Sequence, residues 1–220
     1  MKTKSPLGTK ECRVFSMPDL RAVPEGSEID GHAAVFGQRV AIGSWFYEVI
    51  ERGAFDKTDF KDVLFCINHD MRRIPLARSR NNNANSTLQL SVDDKGLAIK
   101  ATLDVERNAE AKALYSAVDR GDMGGMSFMF RVKGEFWVDL DSDMPTRHIT
   151  DIARVIEVTA ASFPAYDGTD INARDQHGLE SPAGVLESAR SRLESQKSEQ
   201  RQKDNEIEAL RLRALILSKE

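Results

Sequence analysis

Two stretches of the sequence carry groups suited to nucleophilic chemistry. In Gly121–Phe130, three glycines in five residues precede Ser127, a small hydroxyl set between Met126 and Phe128. Glycine permits backbone angles and close approaches that other residues forbid. Met126, Phe128 and Phe130 alternate with Ser127 and Met129, as in a strand with two unlike faces. A serine at the mouth of such a strand is placed to meet a substrate; the same pattern also suits a turn feeding a core strand, with Ser127 merely small. The second stretch is Val63–Asp70, an apolar run ending abruptly in Asn68, His69 and Asp70. It predicts a buried strand whose end delivers those polar groups to a surface or cleft. A hydroxyl nucleophile needs a base beside it and a third group to orient that base. His69 leaves its strand where a general base should. Ser127 lies 58 positions after it, so their meeting depends on the fold.

Other chemistries find less support. The four histidines, His32, His69, His148 and His177, form no HExxH or paired Cys/His spacing, so neither a metal site nor a cofactor is expected. No P-loop or GxGxxG follows a strand. His32, between glycines in a short strand, reads as structural. Cys12 and Cys66 cannot build a disulfide framework and suggest a reducing compartment. A formal charge of −4 supplies no basic field for nucleic acid. The N-terminus lacks the apolar core of a signal peptide, and no run reaches the roughly 18 apolar residues of a membrane span.

The elements that must position these groups are mostly strands. Residues 1–11 are polar and read as a loose N-terminus. Strands are expected at 12–23, 29–37, 45–50 and 63–67, and 88–92 with 97–103 form the clearest β-hairpin. Asn108–Arg120 reads as a helix, with Ala109, Ala113, Leu114, Ala117 and Val118 at helical spacing and Gly121 as its stop. Strand 126–133, a turn at Gly134 and strand 135–140 read as another hairpin, and 147–159 as a bulged strand. The expected class is α+β, mostly β: an antiparallel sheet or barrel with one or two helices packed on it. Residues 171–184 read as a linker. A helical tail at 185–220 follows, with Ile207, Leu210, Ala214 and Leu217 on one seam. With 220 residues, one core plus such an appendage fits better than two full domains.

Several segments in order carry a resemblance. They are Gly31–Gly37, Arg52–Phe55, Asn68-His69-Asp70, Gly96–Leu103, Gly124–Phe130 and Ile156–Tyr166. Together they resemble the prohead (capsid maturation) serine proteases of tailed bacteriophages, over about residues 12–170. The resemblance implies a fold similar to the herpesvirus assembly protease, a small antiparallel β-barrel ringed by a few helices. It makes Ser127 the nucleophile and His69 its general base. Glu157, the acid of the Glu-Val-Thr segment, is the first choice to orient the histidine; His148 is the runner-up, with Asp70 and Asp122 behind. Met129 stands where the family more often has Gly, and Thr159 where it often has Ser. Backbone amides near Arg154 or at Gly124-Gly125 are candidates for an oxyanion hole.

The implied activity is a serine endopeptidase acting inside the assembling prohead in the host cytoplasm. It would cut the scaffolding part of the major capsid protein and also itself, the tail being a packaging or self-processing segment. The implied partners are the capsid protein and its scaffolding segment, and a homodimer is compatible; no nucleic acid or membrane is implied. The alternative is a non-catalytic scaffold or capsid-assembly module whose helical tail binds the shell.

Overall fold

A computed structural model describes residues 2–4, 10–15, 19–24, 26–162 and 181–217. In chain order the strands are β1 (Lys2–Lys4), β2 (Lys10–Phe15), β3 (Arg21–Ala22), β4 (Glu28–Val35), β5 (Val40–Ile42), β6 (Phe46–Ile50), β7 (Leu64–Ile67), β8 (Ala77–Arg78), β9 (Leu88–Val92) and β10 (Gly96–Thr102). Helix α1 (Ala109–Asp119), the long strands β11 (Gly125–Val138) and β12 (Thr146–Ala161), and helix α2 (Pro182–Leu217) complete the order. The class is mixed α+β, mostly strand. Among the described residues the pairings make two sheets rather than one closed ring: eight strands built around the β11–β12 pair, and a four-stranded sheet in the order β3-β4-β10-β9.

The long antiparallel β11–β12 pair organises the larger sheet. β2 pairs with β11 over residues 126–131 and β1 over 134–136. On the far side, β6 lies parallel to the start of β12 and β7 parallel to its end. Parallel neighbours need long crossover connections, and this pairing brings the exit of β7 beside residues about 90 positions later in the chain. One continuous core fills the space between the two sheets and α1, with Met126, Phe128, Phe130 and Val158 on one side and Leu90, Leu97 and Ile99 on the other.

β11 runs unbroken where the sequence reads as a hairpin turning at Gly134. Gly134 marks a bulge instead, with register shifts on either side of it. A Cβ there would meet both the Asp151 Cβ and the Thr150 Oγ1 at 3.0 Å. That close approach by the neighbouring strand, with no turn, is what the glycine serves. Helix α1 forms as expected. Asn108 Oδ1 accepts hydrogen bonds from the amides of Glu110 and Ala111. Gly121, at φ +78, closes the helix as its amide bonds Val118 O while Asp122 N bonds Ala117 O. This is the paired-bond, left-handed ending that favours glycine.

Helix α2 begins three residues before the expected tail. Its first turns dock through Val185 and Leu186 onto Ile42 and Phe46, with Trp137 and Leu140 beside them. From Lys197 to Leu217 every residue is exposed. Ile207, Leu210 and Leu217 are 48%, 63% and 72% accessible, so the expected seam faces solvent in this chain.

Beside that junction the Arg147 guanidinium is buried among three carboxylates. It donates to Glu135 Oε2 at 2.7 Å, Glu11 Oε1 at 2.8 Å and Glu48 Oε2 at 3.0 Å. Burial alone would push the guanidinium down, but the charges of Glu11, Glu48 and Glu135 hold it protonated well above its usual range. Arg192 of α2 adds a second contact to Glu135, at 2.8 Å. Removing one partner of a buried ion cluster leaves uncompensated charge. Arg147→Met is therefore expected to cost about 3–5 kcal/mol of a total stability of about 5–15 kcal/mol. A urea-unfolding midpoint within error of the parent's would contradict this.

Candidate active site

The sheet alternation places the Ser127 and Glu157 side chains on one face and the main core on the other. Met126, Phe128 and Phe130 enter the core, as do Phe65 and Val158 of the flanking strands. Ser127 and Met129 point the opposite way. Ser127 is paired with Thr159 of β12, and Thr159 with Cys66 of β7, so the three lie in one row across the sheet. In the next row Met129 stands opposite Glu157. Ser127, Met129, Glu157 and Thr159 are fully buried, and His69 is 7% exposed.

His69 reaches this face through an unusual turn. After Ile67 the ladder continues for one bond, Asn68 N to Ala160 O at 3.0 Å. Asn68 and His69 then both adopt left-handed backbone angles, φ +49 and +61. Such angles are uncommon outside glycine and tend to cluster at functional sites. Three contacts between the Asn68 amide and Ser162 tie the turn to the end of β12. The His69 amide donates to Thr159 Oγ1 at 3.2 Å. The turn thus delivers the imidazole over β12, where Nδ1 lies 2.8 Å from Glu157 Oε2.

The chemistry of this pair follows from its donors and acceptors. An ionised carboxylate only accepts, so Nδ1 carries the proton and Nε2 is the basic nitrogen of the neutral ring. Glu157 Oε1 is buried without a hydrogen-bond partner among the described residues, which leaves Nδ1 as the group facing this carboxylate. Ser127 sits across from Thr159, and directly opposed Cβ atoms stand about 4.5–5.5 Å apart. Ser127 and His69 therefore flank the same threonine. A hydroxyl, an imidazole and a buried carboxylate so gathered are the groups that acyl transfer requires. Cys66 offers no rival nucleophile. Burial, then the charges of Glu157, Asp70 and Glu110, push its thiol up to about 12.

The other sequence candidates lie elsewhere. His148 also sets Nδ1 against a carboxylate, Glu51 at 2.7 Å, and stacks on Phe136 at 4.5 Å between ring centres. It stands nine residues from Glu157, roughly 30 Å of extended strand, on the half of β12 paired with β6. Asp70 accepts the Arg72 amide at an exposed position. Asp122 pairs with Arg120 beyond the end of α1. His32 is held in the smaller sheet between Asp19 at 2.7 Å and Asp93 at 3.0 Å. Arg154 lies five residues from Thr159, roughly 15 Å along the strand, and its side chain caps Lys61 O. His177 lies outside the described residues. Sequence reasoning missed the roles of Asn68 and of the Thr159 hydroxyl in shaping the histidine turn. Among the described residues no group of His, Cys, Asp and Glu could hold a metal ion, and no helix is long and apolar enough to cross a membrane.

A family model described as caudovirus prohead serine protease matches residues 17–181, three quarters of the chain. No curated protein and no solved structure matches it.

Proposed function

Since the chain belongs to the caudovirus prohead serine proteases, we propose that Ser127, His69 and Glu157 are its catalytic groups and that its substrate is the scaffolding part of the major capsid protein. Membership makes the protein a serine protease of phage capsid maturation. The observation that supports these three residues is the buried His69–Glu157 contact at 2.8 Å, beside the row that holds Ser127.

In this mechanism His69 Nε2 takes the Ser127 proton as Oγ attacks the scissile carbonyl carbon. The tetrahedral intermediate collapses as the imidazolium returns that proton to the leaving amine, giving an acyl-enzyme and a free N-terminus. Water, deprotonated by the same nitrogen, then attacks the ester; the acid product leaves and Ser127 regains its proton. Glu157 holds the tautomer and stabilises the imidazolium throughout. The two sheets would correspond to parts of a small barrel like that of the herpesvirus assembly protease. The protease would also cut itself, and the exposed stretch 197–217 of α2 is an accessible segment for that cut or for packaging into the prohead.

Co-expression with a capsid protein that carries its scaffolding segment tests the reading. A shortened capsid protein with one new N-terminus is the expected product. A capsid protein that stays full-length beside the folded wild-type chain would overturn it. It would favour the second reading, a capsid-assembly module, to which the exposed apolar residues of α2 lend support.

A further inference from the structure

The turn that carries His69 is not self-supporting. Two successive non-glycine residues in the left-handed region resist that conformation, because their Cβ atoms crowd the backbone. They persist only where the surroundings over-determine them. What holds them is the end of β12: Ala160 O on the Asn68 amide, Ser162 on the Asn68 side chain, and Thr159 Oγ1 on the His69 amide. Thr159 is the member of this set closest to the chemistry. It is fully buried, it stands across the ladder from Ser127, and it binds the backbone of the residue whose ring meets Glu157.

We infer that Thr159 is a positioning residue: its hydroxyl, together with the Asn68–Ser162 clamp, fixes the His69 backbone so that one ring orientation serves both Glu157 and Ser127. This rests on the proposed roles of those three residues. Without the hydroxyl the buried His69 amide loses its acceptor, and the turn is released towards ordinary negative φ. The imidazole then swings away from the carboxylate. A displacement of about 1 Å between reacting groups costs on the order of 10²-fold in rate.

The test uses the full chain with capsid protein or a peptide spanning its cleavage site. Thr159→Val keeps the β-branched shape and removes the acceptor. It is expected to lower kcat by about 10- to 100-fold with KM nearly unchanged, and to weaken the low-field proton resonance of His69 Nδ1–H. Thr159→Ser retains the oxygen and is expected to recover most of both. Wild-type kcat and an unchanged resonance in Thr159→Val would overturn the inference, as would failure of Thr159→Ser to recover either. Should Thr159→Val not fold, Asn68→Gly decides: it accepts positive φ but drops the Ser162 clamp, and wild-type kcat in that variant would count against the inference. His69→Ala separates the two levels. If it still cleaves, the catalytic assignment falls; if it is inactive while Thr159→Val is unaffected, only the positioning role falls.

Discussion

Ser127→Ala is expected to abolish cleavage of the capsid protein, by about 10⁶-fold in kcat if it follows other serine proteases, while the chain folds normally. The substitution removes one oxygen from a small, fully buried residue. The backbone at 127 is paired on both sides, with Val14 of β2 and Thr159 of β12, and alanine leaves those ladders intact. Neither Cys66 nor Thr159, the neighbours of Ser127 in its row, is placed to take over the attack. With its thiol at about 12, Cys66 is ionised to only about one part in 10⁵ at pH 7. The Thr159 oxygen is engaged by the His69 amide. What remains should be the small residual acceleration that binding and electrostatic stabilisation provide without a nucleophile. Single-turnover cleavage by the purified variant, with its unfolding curve recorded alongside, gives the answer. Cleavage above about 1% of the parental rate by a folded Ser127→Ala chain, a deficit of only about 3 kcal/mol in transition-state stabilisation, would remove Ser127 from the role of nucleophile.

The elements that were legible in the sequence are those governed by neighbours in the chain. The β9–β10 hairpin follows its alternation and the Asp93–Gly96 turn. Helix α1 follows its cap at Asn108 and its stop at Gly121. β7 follows an apolar run that ends where the chain turns polar. Gly134 misleads because its reason is non-local: the strand that passes against it comes from residues 150–151. The extent of β11 was missed for the same cause; the short β5 pairs locally with β6 across residues 43–45, but three residues are too few to show an alternation. Closure into a barrel came from resemblance, and the described strands pair as two sheets. The site divides in the same way. Ser127 and His69 stand out locally, one in an alternating strand and the other at a strand exit. Glu157 does not, since Ile156-Glu157-Val158 alone is an ordinary strand carboxylate. It stands beside His69 because β7 lies parallel to β12, a pairing no local pattern encodes. The Thr159 hydroxyl was invisible for the further reason that its partner is a backbone amide, which every residue carries.

His148 sharpens what distinguishes the proposed site. Both His69 and His148 place Nδ1 within hydrogen-bond distance of a glutamate, so the dyad alone identifies nothing. The His148 side chain is 21% exposed and that of Glu51 37%, whereas Glu157 is fully buried. Charge on an exposed pair is screened by water; on a buried pair it is screened much less. Of these two pairs, the His69 pair is the one that lies on a sheet face with a serine hydroxyl one strand away.

Glu157→Gln therefore carries the second large expectation, a fall in kcat of about 10³- to 10⁴-fold with the fold retained, in line with loss of the third triad member elsewhere. The amide is nearly isosteric but neutral. If its oxygen faces Nδ1 the tautomer survives, yet the imidazolium formed during attack has lost its counter-charge. The NH₂ group then takes the place of Oε1, which has no partner among the described residues. In either orientation one amide group is left unpartnered at that position, at a cost of about 1–3 kcal/mol. Flipped, the NH₂ faces Nδ1 and forces the proton onto Nε2, the nitrogen that must accept from Ser127. Each arrangement fails, the second more completely. Glu157→Asp keeps the charge one methylene further back and should fall between parent and Gln, whereas His148→Ala should stay within a few-fold of the parent. Measured kcat values in that order, parent and His148→Ala above Asp above Gln, would establish Glu157 as the orienting group. A Gln variant that cleaves as fast as the parent would hand that role to another residue.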